Sequence, residues 1–228
     1  MNLRWQCAQL FELRWWKSYL HARDKAEYLR WKKNYWVDFL QKSGVGLPAG
    51  ANVLDAGCGP AGIFTILDDR YAVDAVDPLV DRYAAALPQF SPSDYPNVRF
   101  FAQTLESFSP GKPYDAIFCL NAINHVADLR RGLDRLTALL RPGGYLLLSV
   151  DAHNMPWVRR IFQLAPADLL HPHQFTRSEY AQMLTGRAMH IERTVLLRKG
   201  RIFNYYLFVA RPDRHKEVHP ASRVSGSR

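Results

Sequence analysis

Apolar positions in the first part of the chain recur with a helical period. Tyr28, Trp31, Tyr35 and Phe39 are spaced by three and four, with Leu29, Trp36 and Leu40 beside them, which predicts a helix with a wide apolar face. Lys25, Arg30, Lys32 and Lys33 take the rest of its circumference, and the run Ser43-Gly44-Val45-Gly46-Leu47-Pro48 stops it. A face that wide docks on the body of the molecule, and some of its rings are expected to roof a binding site as well.

From residue 51 the period changes. Short apolar runs at 51–56, 72–76, 98–102, 116–120 and 145–150 read as strands, and the stretches between them are long enough for crossovers. That alternation predicts a parallel sheet covered by helices on both faces. Leu129, Leu133, Leu136, Leu139 and Leu140 mark a helical face ending at Arg141-Pro142-Gly143-Gly144. Thr176 with Glu179 three residues on predicts a capped helix through Leu184. Two last strand-like runs, 189–197 and 202–210, are linked by only Arg198-Lys199-Gly200-Arg201, too short for a crossover helix, so they form an antiparallel hairpin.

Composition fits one large domain: 228 residues, 48% hydrophobic and 22% charged. The net charge of +9 raises nucleic acid, anionic membrane or an acidic substrate as partners. Its placement weakens the first of these. Residues 1–45 carry nine Lys or Arg and four Asp or Glu, residues 211–228 five and two, so the body at 46–210 keeps only +1. Cys7, Cys58 and Cys119 match neither a disulfide framework nor a zinc motif, and a reducing setting suits them. No run approaches the roughly 18 apolar residues of a membrane span, nor is there a secretory signal core, so a cytoplasmic protein is expected. Nothing in the sequence speaks to oligomeric state.

The chemistry starts at Val53-Leu54-Asp55-Ala56-Gly57-Cys58-Gly59-Pro60-Ala61-Gly62. Glycines at 57, 59 and 62 have the GxGxxG spacing that lets backbone approach a ligand at the end of the first strand, and Asp77 follows twenty residues after Gly57, the usual distance to a carboxylate that binds ribose hydroxyls. A nicotinamide enzyme shares this fingerprint. Against it stand Asp55, the terminal hairpin and the lack of a Tyr-x-x-x-Lys element in the second half of the sheet region.

With an acid two residues before its first glycine, the 53–62 segment resembles motif I of the class I S-adenosylmethionine-dependent methyltransferases, in particular small-molecule, type 11-like members. The likeness continues through Asp77, Tyr114-Asp115-Ala116-Ile117-Phe118-Cys119-Leu120-Asn121 and Leu140-Arg141-Pro142-Gly143-Gly144-Tyr145-Leu146, spanning roughly residues 50–210. It implies a Rossmann-like, doubly wound α/β fold with a seven-stranded sheet, mostly parallel and closed by the antiparallel hairpin, plus an N-terminal helical cap. The implied organisation is a basic, aromatic-rich cap at 1–45, a methyltransferase domain at 46–211 with a lid insertion at 152–175, and a disordered basic tail at 212–228. The cofactor it implies is S-adenosylmethionine, leaving as S-adenosylhomocysteine.

Carried over by position, Asp55 and Gly57 would hold the methionine end, Gly59 would allow close approach, and Asp77 with Pro78 would meet the ribose. Thr104 and Leu105 would lie beside the adenine, although many relatives have an Asp at Thr104. Asn121 falls where the reactive end meets the acceptor.

Methyl transfer from a sulfonium is an in-line displacement, so the protein mainly aligns the acceptor and excludes water. A base is needed when the acceptor must lose a proton, and histidine suits that task near neutral pH. His125, His153 and His173 are the candidates, each after a strand end or in the insertion. Tyr19, Tyr28, His171 and His173 are the expected acceptor contacts. No metal is expected, since the spacing of Asp151, His153, His171 and His173 is no recognised metal signature.

The expected acceptor is a small molecule, with transfer to oxygen ahead of nitrogen or carbon. RNA or protein methylation, or a catalytically inactive cofactor-binding protein, are the alternatives. Nucleic acid is disfavoured because Asn121-Ala122-Ile123-Asn124 stands where base amine methyltransferases carry Asn/Asp-Pro-Pro-Tyr/Phe.

Overall fold

The computed structural model describes residues 3–154 and 175–213. The expectations for His171, His173, most of the 152–175 insertion and nearly all of the 212–228 tail lie outside the described residues.

Seven strands form one sheet in the order β3-β2-β1-β4-β5-β7-β6. Strands β1 (Asn52–Ala56), β2 (Ala72–Val76), β3 (Val98–Phe101), β4 (Tyr114–Leu120) and β5 (Leu140–His153) run parallel. β6 (Met189–Arg198) and β7 (Phe203–Pro212) form the antiparallel hairpin, and β7 pairs antiparallel with β5. The doubly wound, mostly parallel architecture is therefore as the sequence predicts.

The hairpin's order follows from burial. In β7, Leu207, Phe208, Val209 and Ala210 are all buried, as befits a strand with neighbours on both edges, whereas β6 exposes much of its length and takes the rim. The Arg141-Pro142-Gly143-Gly144 run differs from expectation. The helix before it, α4 (Leu129–Ala138), stops earlier, and the run is an irregularity inside β5: Leu140 pairs with Tyr114, the register shifts, and Tyr145 pairs with Ala116.

Helices cover both faces. α4 and α5 (Arg177–Thr185) pack on one face through Leu129, Leu133, Leu136, Tyr180 and Leu184. α5 starts at the predicted capping box, with Thr176 and Glu179 each bonding the other's backbone amide. On the other face lie α1 (Leu3–Leu20), α2 (Lys25–Ser43) and α3 (Val80–Ala86), which share a core with β1 through Leu20, Tyr28, Trp36, Phe39 and Tyr83. Asp24 caps α2 by accepting the Glu27 amide, and Gly44 ends it in the left-handed region at φ 66°.

No α-helix joins β1 to β2. Two short 3₁₀ turns, Gly59–Ala61 and Ile63–Ile66, fill that link, because Gly59, Pro60 and Gly62 interrupt any longer helix. α2 lies over these turns, and its Trp36 Nε1 donates to the Ala61 carbonyl at 2.9 Å. The N-terminal helices thus lie against the glycine loop itself. No helix among the described residues is long and apolar enough to cross a membrane.

Candidate active site

A cavity of about 780 Å³ opens between α1, α2 and the carboxyl ends of the strands. It lies where the strand order reverses, between β1 and β4, the place where ligands bind in open α/β sheets.

Its floor is the turn after β1. Gly57 has φ 72°, which a side chain rarely adopts, and a Cβ there would stand 2.3 Å from the Ala122 Cβ. Its amide donates to the Val76 carbonyl at 2.7 Å, drawing the turn against the end of β2. Gly59 has φ 55° and presents bare backbone beneath Trp16. Both glycines line the cavity.

Asp77, at the end of β2, also lines it and takes one backbone amide on each oxygen: Gly59 at 3.0 Å and Leu79 at 2.8 Å. Burial pushes this carboxyl up to about 6, while the two amides pull it down. Beside it, Val76, Pro78, Thr104 and Leu105 wall one end of the cavity. Glu106 ties that wall to the β4–α4 connection by accepting the Ala127 and Asp128 amides at 2.8 and 3.1 Å. At the other side, Asn121 and His125 line the cavity just past β4. Asn121 sits in the left-handed region at φ 54°, and its amide donates to the Ser149 carbonyl and hydroxyl. Asn tolerates that conformation better than most residues.

Eight of the sequence-predicted residues therefore meet around one cavity: Gly57, Gly59, Asp77, Pro78, Thr104, Leu105, Asn121 and His125. Four described ones stay outside its wall. Asp55 is buried behind the loop, where it accepts the Phe64 amide at 3.1 Å and lies so near Gly62 that a Cβ there would touch its oxygen. Burial pushes its carboxyl up to about 7. His153 is buried against Phe203, with ring centroids 4.4 Å apart. Tyr28 is buried in the core, and Tyr19 stacks on Trp15 at 4.9 Å and carries the Arg23 guanidinium 4.2 Å from its ring centre.

The N-terminal helices supply further groups: those on α1 went unread in the sequence, whereas the α2 rings belong to the face expected to roof a site. Along α1, Trp5, Gln9, Glu12 and Trp16 follow a four-three-four spacing and face the cavity. Trp5 Nε1 donates to the His125 carbonyl at 3.0 Å, tying α1 to the far wall. Glu12 accepts the Tyr83 hydroxyl at 3.2 Å, and burial together with the nearby Asp77 charge pushes it up to about 7. From α2 come Trp31, Lys32, Tyr35 and Trp36, and from the sheet's other half Asp151, Arg198 and Tyr205. The legible signal was a polar residue inside an apolar helical stripe: Glu12 on α1, and Lys32 on α2, which stands four residues from both Tyr28 and Trp36 and so lies among the rings and not on the rest of the circumference.

These residues fit S-adenosylmethionine. The Gly57–Gly59 turn presents side-chain-free backbone at positive φ to the cavity, Asp77 offers a carboxylate with lone pairs beyond its two amide bonds, and Val76, Pro78 and Leu105 give an apolar slot beside it. Asp77 would hold the ribose hydroxyls, and the bare backbone of the turn would meet the cofactor's amino-acid end.

Comparison with known proteins agrees. A family model described as a methyltransferase domain matches residues 28–188, well over half of the chain. The ubiquinone biosynthesis O-methyltransferases of Bradyrhizobium sp. (strain ORS 278) and Nitrobacter winogradskyi are 31% and 34% identical to it over 110 residues, 46% of this chain and 42% and 41% of theirs. The aligned part is thus less than half the length of these relatives. Among solved structures, the 1,6-didemethyltoxoflavin-N1-methyltransferase of Burkholderia thailandensis, crystallised with S-adenosylhomocysteine, shares the fold at a TM-score of 0.62 and 19% identity, over 93% of this chain and 92% of that one. With a methyltransferase family model matching well over half of the chain, and with these relatives and this shared fold, the chain belongs to the class I S-adenosylmethionine-dependent methyltransferases.

Proposed function

We propose that the chain methylates an oxygen of a small-molecule acceptor enclosed between the N-terminal helices and the strand ends. The observation that carries this reading is the cavity at the strand ends. At about 780 Å³ it lies in the upper half of the range for small-molecule sites, and it runs from Asp77 and Leu105 past the glycine turn to Asn121, His125 and Tyr205. It has space for a second small molecule beside the cofactor. The O-methyltransferase names of the relatives support oxygen over nitrogen or carbon.

When bound, S-adenosylmethionine supplies an electrophilic methyl carbon and keeps the electron pair of the broken C–S bond. The chain's own task is placement. Asp77 and the glycine turn fix one end of the cavity, while Trp5, Trp16 and Trp36 shield the space above the strands from water. His125, on the wall past β4, takes the proton that an acceptor hydroxyl loses as its oxygen attacks.

The test is the release of S-adenosylhomocysteine with panels of phenols, amines and carbon acids, the product's new methyl being located by NMR. Phenols are expected to turn over, and His125→Ala to lower kcat by about a hundredfold or more with cofactor affinity unchanged. Full turnover by that variant would remove His125 as the base, and methyl found on nitrogen or carbon would overturn the oxygen assignment.

A further inference from the structure

Among the described residues three cationic side chains line the cavity: Lys32, Lys42 and Arg198. Two are already answered. Lys42 Nζ lies 2.6 Å from the Asp38 carboxylate, and Arg198 lies 3.4 Å from Asp151. Lys32 has no carboxylate within ion-pair distance among the described residues. It is surrounded by rings instead, its Nζ 4.7 Å from the Trp36 centroid, 5.5 Å from Tyr35 and 5.7 Å from Trp31.

Ring faces attract an ammonium but accept no full charge-assisted hydrogen bond, so its three N–H donors keep capacity for a ligand. Burial holds the ammonium down at about 8, with the Asp55 charge opposing. A partly desolvated cation facing a cavity is stabilised by whatever anion enters. Its place is also suggestive. Lys32 is one turn before Trp36, the residue that grips the glycine loop at the Ala61 carbonyl.

We propose that Lys32 is the anion-receiving residue of the cavity, binding a carboxylate of a bound small molecule through a charge-assisted hydrogen bond. This rests on the methyltransferase reading above. Two molecules bring such a group: the cofactor, through its methionine carboxylate, and an acceptor that is itself an aromatic acid, whose ring would lie among Trp31, Tyr35 and Trp36. Of the acids around it, Asp38 and Asp151 are paired with Lys42 and Arg198 and Asp55 is set behind the loop, while Glu12, Asp77 and Glu106, which also line the cavity, make no ion pair with Lys32.

The experiment is calorimetric titration of the full chain and of Lys32→Met, which keeps the apolar stem, with S-adenosylhomocysteine and with 5′-methylthioadenosine, the same nucleoside without the amino-acid end. A loss of about tenfold or more for S-adenosylhomocysteine, with 5′-methylthioadenosine unchanged and affinity restored in Lys32→Arg, assigns the cofactor's carboxylate. If S-adenosylhomocysteine binding is unchanged, 4-hydroxybenzoate and 4-hydroxybenzyl alcohol are titrated into the saturated complex. Loss of the acid's binding alone in Lys32→Met assigns the acceptor's carboxylate. If Lys32→Met shifts neither S-adenosylhomocysteine nor 4-hydroxybenzoate by more than about twofold, or weakens 5′-methylthioadenosine equally, the proposal is overturned. Failure of the unaltered chain to bind S-adenosylhomocysteine at all would instead overturn the cofactor reading beneath it.

Discussion

Around the glycine loop, three carboxyl groups are held above their ordinary range near 4. Asp55 and Glu12 are pushed up to about 7 and Asp77 to about 6, burial being the largest cause in each. A carboxyl whose folded value is raised holds its proton longer than the unfolded chain does. Its stabilising contribution is complete below about pH 4 and is lost as pH rises through the folded value. Lys32 has the opposite sign: its lowered value makes stability fall as pH drops from the usual lysine range toward about 8. The apo protein therefore holds charges in place for a ligand at some cost to its own stability near neutrality. Glu12→Gln removes one of these groups and keeps an acceptor for Tyr83. Its melting temperature relative to the native chain is expected to rise between pH 5 and pH 8, and a difference constant over that range would contradict the assignment.

At the scale of elements, the unusual feature is the link from β1 to β2, where 3₁₀ turns stand under α2 in place of a crossover helix. The Trp36 bond to Ala61 is buried, so Trp36→Phe leaves that carbonyl unsatisfied and is expected to cost about 1–3 kcal/mol in denaturant unfolding. It should also weaken S-adenosylhomocysteine binding through the displaced loop; unchanged stability would show that α2 does not brace it.

The sequence made the strands, the glycine turn and the capping box legible because each is a local pattern: a buried apolar run, a spacing of glycines, a Thr-x-x-Glu. Even the interior place of β7 is written in its continuous apolar run beside the alternating β6. What was not legible is long-range. The apolar faces of α1 and α2 run past the cavity's rim, so periodicity alone did not separate Tyr19 and Tyr28, which pack with each other and with the body, from Trp5, Glu12, Trp16 and Lys32, which line it. Nor does a short-range pattern show that Trp5 reaches a carbonyl 120 residues away. Asp55 matched its motif, yet its side chain braces the loop from behind because Gly62 and the Phe64 amide close over it.

On the scale of the molecule, cores on the two sheet faces meet a cavity at the strand ends, and the helices lining that cavity belong to the basic first segment. The +9 charge is thus concentrated at the ends of the chain, with Lys32 and Lys42 of the first segment on the cavity wall. The central claim is that this cavity binds the nucleoside of S-adenosylmethionine through Asp77. It is tested most directly by calorimetric titration of S-adenosylhomocysteine into the native chain and Asp77→Ala, with both shown to be folded. A charged hydrogen bond contributes about 1.5–3 kcal/mol, so affinity is expected to fall roughly tenfold or more in the variant. Affinities within about twofold of each other would contradict the account.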